Sequence, residues 1–202
     1  MTKIKLCGLS RPCDIEAANE LKPEYIGFVF TPKSKRYVTP EKAKELKQIL
    51  APNIKAVGVF VKEVPENVAK LLHDKIIDIA QLHGNESEDY IKQLRKLTDK
   101  PIIKAFRIET ASDIAYAEHC SADYVLLDSG AGTGTLFDWK LIQNIKIPYF
   151  LAGGLSPDNA GDAVTILHPF AVDVSSGIET DGVKDKTKMA AFVAAVRKDD
   201  KL

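Results

Sequence analysis

Short apolar segments alternate with amphipathic segments along the whole chain, and this pattern predicts eight rounds of a β-strand followed by a helix. The apolar segments are rich in β-branched and aromatic residues and nearly continuous, as expected of parallel strands covered by helices. The predicted strands are Ile4–Leu6, Tyr25–Phe30, Lys55–Val61, Ile77–Gln81, Pro101–Phe106, Ala122–Leu127, Pro148–Leu151 and Phe170–Val174. Regular alternation of this kind predicts an α/β fold.

Residues that favour helix starts stand before several amphipathic segments. Thr39-Pro40-Glu41 and Ser156-Pro157-Asp158 each place a capping hydroxyl before a proline that suits the first helical position. Ser87 and Thr110 precede first-turn acids, which favour the positive end of a helix. The last predicted helix spans roughly Lys184 to Lys198, with Met189, Phe192, Val193 and Val196 at helical spacing.

Eight alternating units fit either an open doubly wound sheet or a closed barrel. An open sheet would usually carry a G-x-G-x-x-G turn after its first strand, whereas Cys7-Gly8-Leu9-Ser10-Arg11 lacks that pattern. The strand count therefore favours a single-domain (β/α)8 TIM barrel over residues 1–202, with no linker or composition break inside it. Polar chemistry is then expected at the C-terminal ends of the strands.

Charge and composition exclude some classes of partner. Lys plus Arg and Asp plus Glu both number 28, so no overall field favours nucleic acid or an anionic membrane. The longest apolar stretches, such as Tyr25–Phe30 and Ala56–Val61, are too short to span a bilayer, and no signal-peptide pattern begins the chain. The 3 cysteines are few and odd in number, which favours a reducing cytoplasm over a disulfide-stapled fold.

Two consecutive glycine-containing turns predict a phosphate site. Gly153-Gly154 ends the seventh predicted strand, and Ser176-Gly177 follows the eighth. Glycines let backbone N–H groups approach an anion, a helix N-terminus adds a favourable dipole, and these two loops are the usual phosphate seat of barrels. Either glycine-containing segment alone could simply be a tight turn. Because two of them follow consecutive strands, the sequence favours a phosphorylated small molecule as ligand.

Cys7 and Asp128 are the candidates for proton transfer. Strand alternation places Lys3, Lys5 and Cys7 on one face, so Cys7 would face the barrel mouth if Ile4 and Leu6 meet the helices. A cysteine is a workable base only where its thiolate is stabilised, and an isolated one is more often a small buried hydrophobe. Lys5 could pair with Asp173 as a structural support.

Asp128 follows an apolar run, and partial burial would raise its pKa and let it carry a proton. It could also be an ordinary loop acid. The glycine-rich segment 129–135 that follows is expected to cover the site.

Arg36 and His83 complete the candidate site. Arg36 lies in a basic loop, where it could be a solvated surface charge or could bind a substrate carboxylate through two nitrogens. His83 could either contact the ligand or orient its neighbours. The histidines and cysteines lack metal-ligand spacing, so we expect neither a metal nor another cofactor.

These residues together resemble the phosphoribosylanthranilate isomerase family of the tryptophan pathway along essentially the whole chain. The matching segments are Lys5–Gly8, Gly27–Phe30, Lys33–Tyr37, Val57–Val61, Gln81–Gly84, Leu126–Asp128, Phe137–Trp139, Ala152–Leu155 and Pro169–Gly177. One departure is visible at Gly130-Ala131-Gly132-Thr133-Gly134, where a Gly-Gly pair is commoner in the family.

The resemblance implies an Amadori rearrangement of N-(5-phosphoribosyl)anthranilate to the corresponding 1-deoxyribulose 5-phosphate. It implies Cys7 as general base, Asp128 as general acid and Arg36 as the carboxylate anchor. It also places the phosphate on the Gly153-Gly154 and Ser176-Gly177 turns, with no cofactor, and leaves a monomer or a homodimer open.

Two other functions remain to be distinguished. A related barrel enzyme such as indole-glycerol-phosphate synthase would need a lysine acid at a strand end, whereas the first strand here ends in Cys7. A non-catalytic barrel that binds a phosphorylated ligand would need the glycine turns but no facing acid and base. Turnover of the anthranilate substrate separates these functions.

Overall fold

The structure, a computed structural model, describes residues 1–128, 139–142 and 145–198. Eight parallel strands follow chain order and close into a barrel, because the first strand pairs with both the second and the eighth. The strands are β1 (Lys3–Cys7), β2 (Tyr25–Val29), β3 (Lys55–Phe60), β4 (Ile79–Leu82), β5 (Ile102–Arg107), β6 (Tyr124–Asp128), β7 (Tyr149–Ala152) and β8 (Ala171–Val174). The predicted barrel and all its strands are confirmed.

The helices in the described residues surround the barrel. They are α1 (Pro12–Leu21), α2 (Pro40–Gln48), α3 (Pro65–His73), α4 (Glu88–Leu97), α5 (Ala111–Glu118), α6 (Ala160–Leu167) and α7 (Lys186–Lys198). Two short strands, β9 (Glu179–Thr180) and β10 (Val183–Lys184), form a hairpin between β8 and α7. None of these helices combines the length and apolarity that crossing a bilayer requires.

Most predicted helix starts are confirmed, but the helix predicted after Ser156 begins later. The Ser156 hydroxyl accepts a hydrogen bond from the Asp158 N–H (3.3 Å), as a cap does, but it caps only a turn. Thr39 and Ser87 accept hydrogen bonds from backbone N–H groups of α2 and α4 as expected. In contrast, α6 begins only at Ala160. The Asn159 side chain accepts a hydrogen bond from the Ser156 N–H (2.8 Å) and donates one to the Gly154 carbonyl (2.9 Å). These contacts hold the intervening segment as a turn rather than a first helical turn.

The alternation of β1 divides its side chains between two apolar layers. Ile4 and Leu6 are fully buried in the layer between the strands and the helices, where each stabilises the fold by about 1.5–3 kcal/mol. A separate cluster that includes Tyr25, Leu126 and Phe150 fills the barrel interior. Among the described residues the interior is therefore a packed core, and a cavity for a ligand lies at its C-terminal mouth.

Candidate active site

A cavity of about 320 Å³ lies at the C-terminal mouth of the barrel. Its lining brings together seven of the eight predicted site residues: Cys7, Arg36, His83, Asp128, Gly153, Gly154 and Ser176. A larger cavity outside the barrel, lined by residues of α2 and α3, contains none of them. Since the chemistry-bearing side chains converge on the mouth, we take this smaller cavity as the candidate active site.

Cys7 ends β1 with its thiol inside the barrel mouth. Its neighbour across the strand pairing is Gly27, and a side chain there would place a Cβ only 2.6 Å from the Cys7 sulfur. Gly27 thus provides the space that the thiol occupies. Burial raises the pKa of the Cys7 thiol above its ordinary value, although the positive charges of Lys5 and Lys184 oppose this rise.

The ion pair between Lys5 and Asp173 is confirmed. Lys5 is fully buried, and its Nζ lies 2.8 Å from the Asp173 carboxylate on the neighbouring strand β8. Burial lowers the pKa of Lys5, but Asp173 and Cys7 together raise it above its ordinary value. Lys5 therefore places a positive charge near the Cys7 thiol, where it opposes the effect of burial on the pKa of that thiol.

Asp128 and His83 contact each other across the cavity. The Asp128 Oδ2 lies 3.3 Å from the His83 Nε2, and the His83 Nδ1 lies 2.8 Å from the side-chain nitrogen of Gln81. An amide nitrogen can only donate, so the network assigns the ring proton to Nε2, which then donates to Asp128. Of the two roles predicted for His83, this contact matches the orientation of a neighbour.

Gln81 was not identified from the sequence as a site residue. It is 1% exposed and lines the same cavity as His83. Its sequence signal was a polar residue within an apolar strand, two positions before His83 and therefore on the same face of the chain.

Arg36 lies at the cavity, but Glu179 already binds one edge of its guanidinium. The distances are 2.6 Å from Nε to Oε1 and 2.8 Å from Nη2 to Oε2. This pairing raises the pKa of Arg36. Gly8, with a φ of +80°, leaves room for the stem, since a Cβ there would lie 2.5 Å from the Arg36 Cδ.

Glu179 is itself held by Lys184, whose Nζ lies 2.6 Å from Oε1. Lys184 also donates to the carbonyl of Ser175 at 2.8 Å, and the Ser175 hydroxyl donates to the carbonyl of Cys7 at 3.2 Å. Burial lowers the pKa of Lys184, although Glu179 opposes that effect. Neither Glu179 nor Lys184 was predicted, because only the folded hairpin brings them beneath Arg36.

The two glycine turns pack directly against each other. Gly153 and Gly154 both have positive φ values, 89° and 64°, which glycine adopts without strain. Gly177 does not line the cavity; a Cβ there would lie 1.9 Å from the Leu155 carbonyl oxygen. Because α6 begins at Ala160, its N-terminus is separated from Gly154 by the intervening turn. Gly153, Gly154 and Ser176 therefore line this side of the cavity, and the end of α6 does not.

Two other predictions concern the surroundings of the site. The part of the chain that the structure describes contains no cluster of His, Cys, Asp or Glu that could hold a metal ion. The glycine-rich segment 129–135, expected to cover the site, lies outside the described residues.

Comparisons with known proteins agree over nearly the full chain. The family model described as N-(5'phosphoribosyl)anthranilate (PRA) isomerase matches residues 4–195. A protein named N-(5'-phosphoribosyl)anthranilate isomerase from Endomicrobium trichonymphae is 43% identical, covering 98% of this chain and 99% of its own. A relative of the same name from Thermoanaerobacter sp. (strain X514) is also 43% identical, with 98% of each chain covered.

Solved structures give the same relationship. The crystal structure of phosphoribosyl anthranilate isomerase from Thermotoga maritima has a TM-score of 0.90 and 34% identity, covering 98% of this chain and 100% of that one. A phosphoribosyl anthranilate isomerase structure in complex with reduced 1-(o-carboxyphenylamino)-1-deoxyribulose 5-phosphate has a TM-score of 0.88 and 34% identity over the same shares.

Proposed function

The chain belongs to the N-(5'-phosphoribosyl)anthranilate isomerase family, and we propose that Cys7 and Asp128 carry out the proton transfers of its reaction. It is an isomerase of tryptophan biosynthesis that converts N-(5'-phosphoribosyl)anthranilate to 1-(2-carboxyphenylamino)-1-deoxyribulose 5-phosphate. The observation that supports the two roles is that a thiol from β1 and a carboxyl group from β6 line one cavity, next to the glycine turns.

The proposed mechanism begins at Asp128. Its proton passes to the ribose ring oxygen, the bond from that oxygen to carbon 1 breaks, and the electrons of the aryl nitrogen form an iminium. The cation acidifies carbon 2, and the Cys7 thiolate removes the proton there to leave an enolamine. Protonation of carbon 1 and loss of the enol proton then give the ketone. Each positioned proton transfer contributes roughly 100- to 10,000-fold in rate.

The remaining residues hold the substrate at its two charged ends. Arg36 binds the anthranilate carboxylate, and the turns at Gly153-Gly154 and Ser176-Gly177 bind the phosphate. Anchors at both ends restrict the reacting carbons to the space between the acid and the base. His83 is proposed to orient Asp128, on the basis of the contact between them.

The alternative functions are not favoured. Indole-glycerol-phosphate synthase chemistry would need a lysine acid where β1 ends in Cys7. A non-catalytic barrel would not need an acid and a base in one cavity. Among similar proteins, the Thermotoga maritima isomerase is described as dimeric, and we propose a monomer or a homodimer acting in the cytoplasm.

The roles are tested by following the loss of substrate fluorescence with purified protein. Cys7→Ala and Asp128→Asn should each lower kcat by roughly 100-fold or more while binding of a product analogue is retained. If either variant keeps most of its turnover, the proposed role of that residue is wrong.

A further inference from the structure

We propose that Glu179 is a positioning residue that fixes Arg36 so that only the outer edge of its guanidinium meets the substrate. This arrangement would select an aryl amine whose ring carboxylate approaches end-on. The inference rests on the proposed role of Arg36 as carboxylate anchor and adds to it a residue outside the cavity lining.

Hydrogen-bond geometry defines which edge of Arg36 is free. Its Nε and Nη2 both donate to the Glu179 carboxylate, at 2.6 and 2.8 Å. A guanidinium has five N–H groups, so this pair uses two and leaves one on Nη2 and two on Nη1. A second carboxylate can then bind through two parallel hydrogen bonds only at the Nη1–Nη2 edge.

Glu179 is suited to this role because it is itself immobilised. Its Oε1 lies 2.6 Å from the Lys184 Nζ, and its backbone carbonyl accepts a hydrogen bond from Lys188 at 2.7 Å. The Glu179 side chain is 7% exposed, compared with 31% for Arg36. The carboxylate is therefore enclosed while the guanidinium remains accessible, so Glu179 acts on the substrate only through Arg36.

Loss of Glu179 would leave Arg36 without this restraint. Lys184 is only 3% exposed and does not line the cavity, so it does not offer the substrate a second cation. The guanidinium would then be free to rotate, and its Nη1–Nη2 edge would no longer be held towards the carboxylate.

The test compares two inhibitors: reduced 1-(2-carboxyphenylamino)-1-deoxyribulose 5-phosphate and the same compound without its ring carboxylate. Glu179→Gln keeps the size of the side chain but removes its charge. We expect this variant to bind the first inhibitor about fivefold more weakly, because an ordered arginine is lost, and the second equally well. With the natural substrate, KM should rise while kcat stays within about twofold.

The effect of Glu179→Gln is also measured in a protein that carries Arg36→Met. If Glu179 acts through Arg36, adding Glu179→Gln to Arg36→Met should change neither inhibitor constant further. Equal weakening of both inhibitors by Glu179→Gln, or an additive loss in the double variant, would overturn the proposal. If Arg36→Met itself does not reduce the preference for the carboxylate, then the assignment of Arg36 as the anchor fails as well.

Two further variants exclude a simple folding defect. Glu179→Gln leaves Lys184 buried without its counter-ion, so Glu179→Gln/Lys184→Met is measured beside it and should show the same loss of carboxylate preference. Glu109→Gln is the matched control, since Glu109 pairs with Arg107 at the end of β5 but both side chains are exposed, at 63% and 61%. It should bind both inhibitors as the unmodified protein does, and unchanged preference in the Glu179 variants would refute the proposal.

Discussion

Lys5 and Asp173 form an ion pair of 2.8 Å inside the barrel, on the same strand face as Cys7. Two ions removed from water are stable only when paired, because their desolvation costs several kcal/mol each. Burial raises the pKa of the Cys7 thiol, the Lys5 cation lowers it and the Asp173 carboxylate raises it. Lys5 and Asp173 therefore compensate each other inside the barrel while acting on the thiol in opposite directions.

Replacement of Lys5 by methionine should shift the activity profile towards alkaline pH. Loss of the cation removes an effect that lowers the pKa of Cys7, so the thiolate forms only at higher pH. The acid limb of kcat/KM against pH should move upward, because that profile reports the free enzyme. Lys5→Met/Asp173→Asn removes two charges that act on Cys7 in opposite directions, so its acid limb should move less than that of Lys5→Met. Lys3→Met is the control, since Lys3 lies over the Phe170 ring at 4.3 Å; an unshifted limb in Lys5→Met would contradict the prediction.

Replacement of His83 by asparagine should lower kcat more than it raises KM. Asp128 would lose the donor that orients it, and a small misplacement of a catalytic group can cost roughly 100-fold in rate. Steady-state kinetics measures both constants. The exposed His73→Asn serves as control. A selective rise in KM would instead show that His83 contacts the substrate.

Replacement of Gly177 by alanine should separate the two phosphate turns. The new Cβ would lie 1.9 Å from the Leu155 carbonyl oxygen, so the backbone must move. We expect a higher Kd for inorganic phosphate and a lower Tm, measured by calorimetry and by thermal unfolding. Gly182→Ala is a suitable comparison, because Gly182 has a positive φ but a Cβ added there would meet no atom within 4 Å. Equal effects of both substitutions would contradict the prediction, because the contact with Leu155 exists at Gly177 and not at Gly182.

Replacement of Phe150 by alanine should lower the free energy of unfolding by about 3–5 kcal/mol. Phe150 is fully buried inside the barrel and contacts the rings of Tyr25, Tyr124 and Phe170 at centroid distances of 5.5, 5.8 and 5.6 Å. Denaturant unfolding measures the loss. Ile166→Ala, at a position 48% exposed, should change the free energy much less, and a similar loss there would contradict the packing argument.

The barrel and the meeting of Cys7 with Asp128 at one cavity could be predicted because they depend on local pattern. Strand alternation alone placed Cys7 and Lys5 on the inner face of β1, and the pairing of β1 with β8 joins Lys5 to Asp173. Parallel strands bring their C-terminal ends to one rim, which is why Cys7 and Asp128 meet in one cavity.

The contacts that tune the site could not be predicted in the same way. Glu179 reaches Arg36 across 143 residues of sequence. The Asp181-Gly182 turn is a local signal for the hairpin itself, but nothing local indicates that this hairpin carries Glu179 to Arg36. The late start of α6 has a related cause, because side-chain contacts of Asn159 with Ser156 and Gly154 hold the turn that precedes the helix. Side-chain contacts of this kind depend on loop geometry, whereas the strands depend mainly on the order of apolar residues.

Closure of the barrel has a consequence for how the protein is made. The strands that carry Cys7 and Asp173 are neighbours in space although 168 positions separate Lys5 from its partner Asp173. During synthesis, Lys5 in the first strand therefore lacks its counter-ion until nearly the whole polypeptide has emerged. A nascent chain that stops before β8 would contain Cys7 but could not enclose it, so the site should form with the last strand rather than unit by unit.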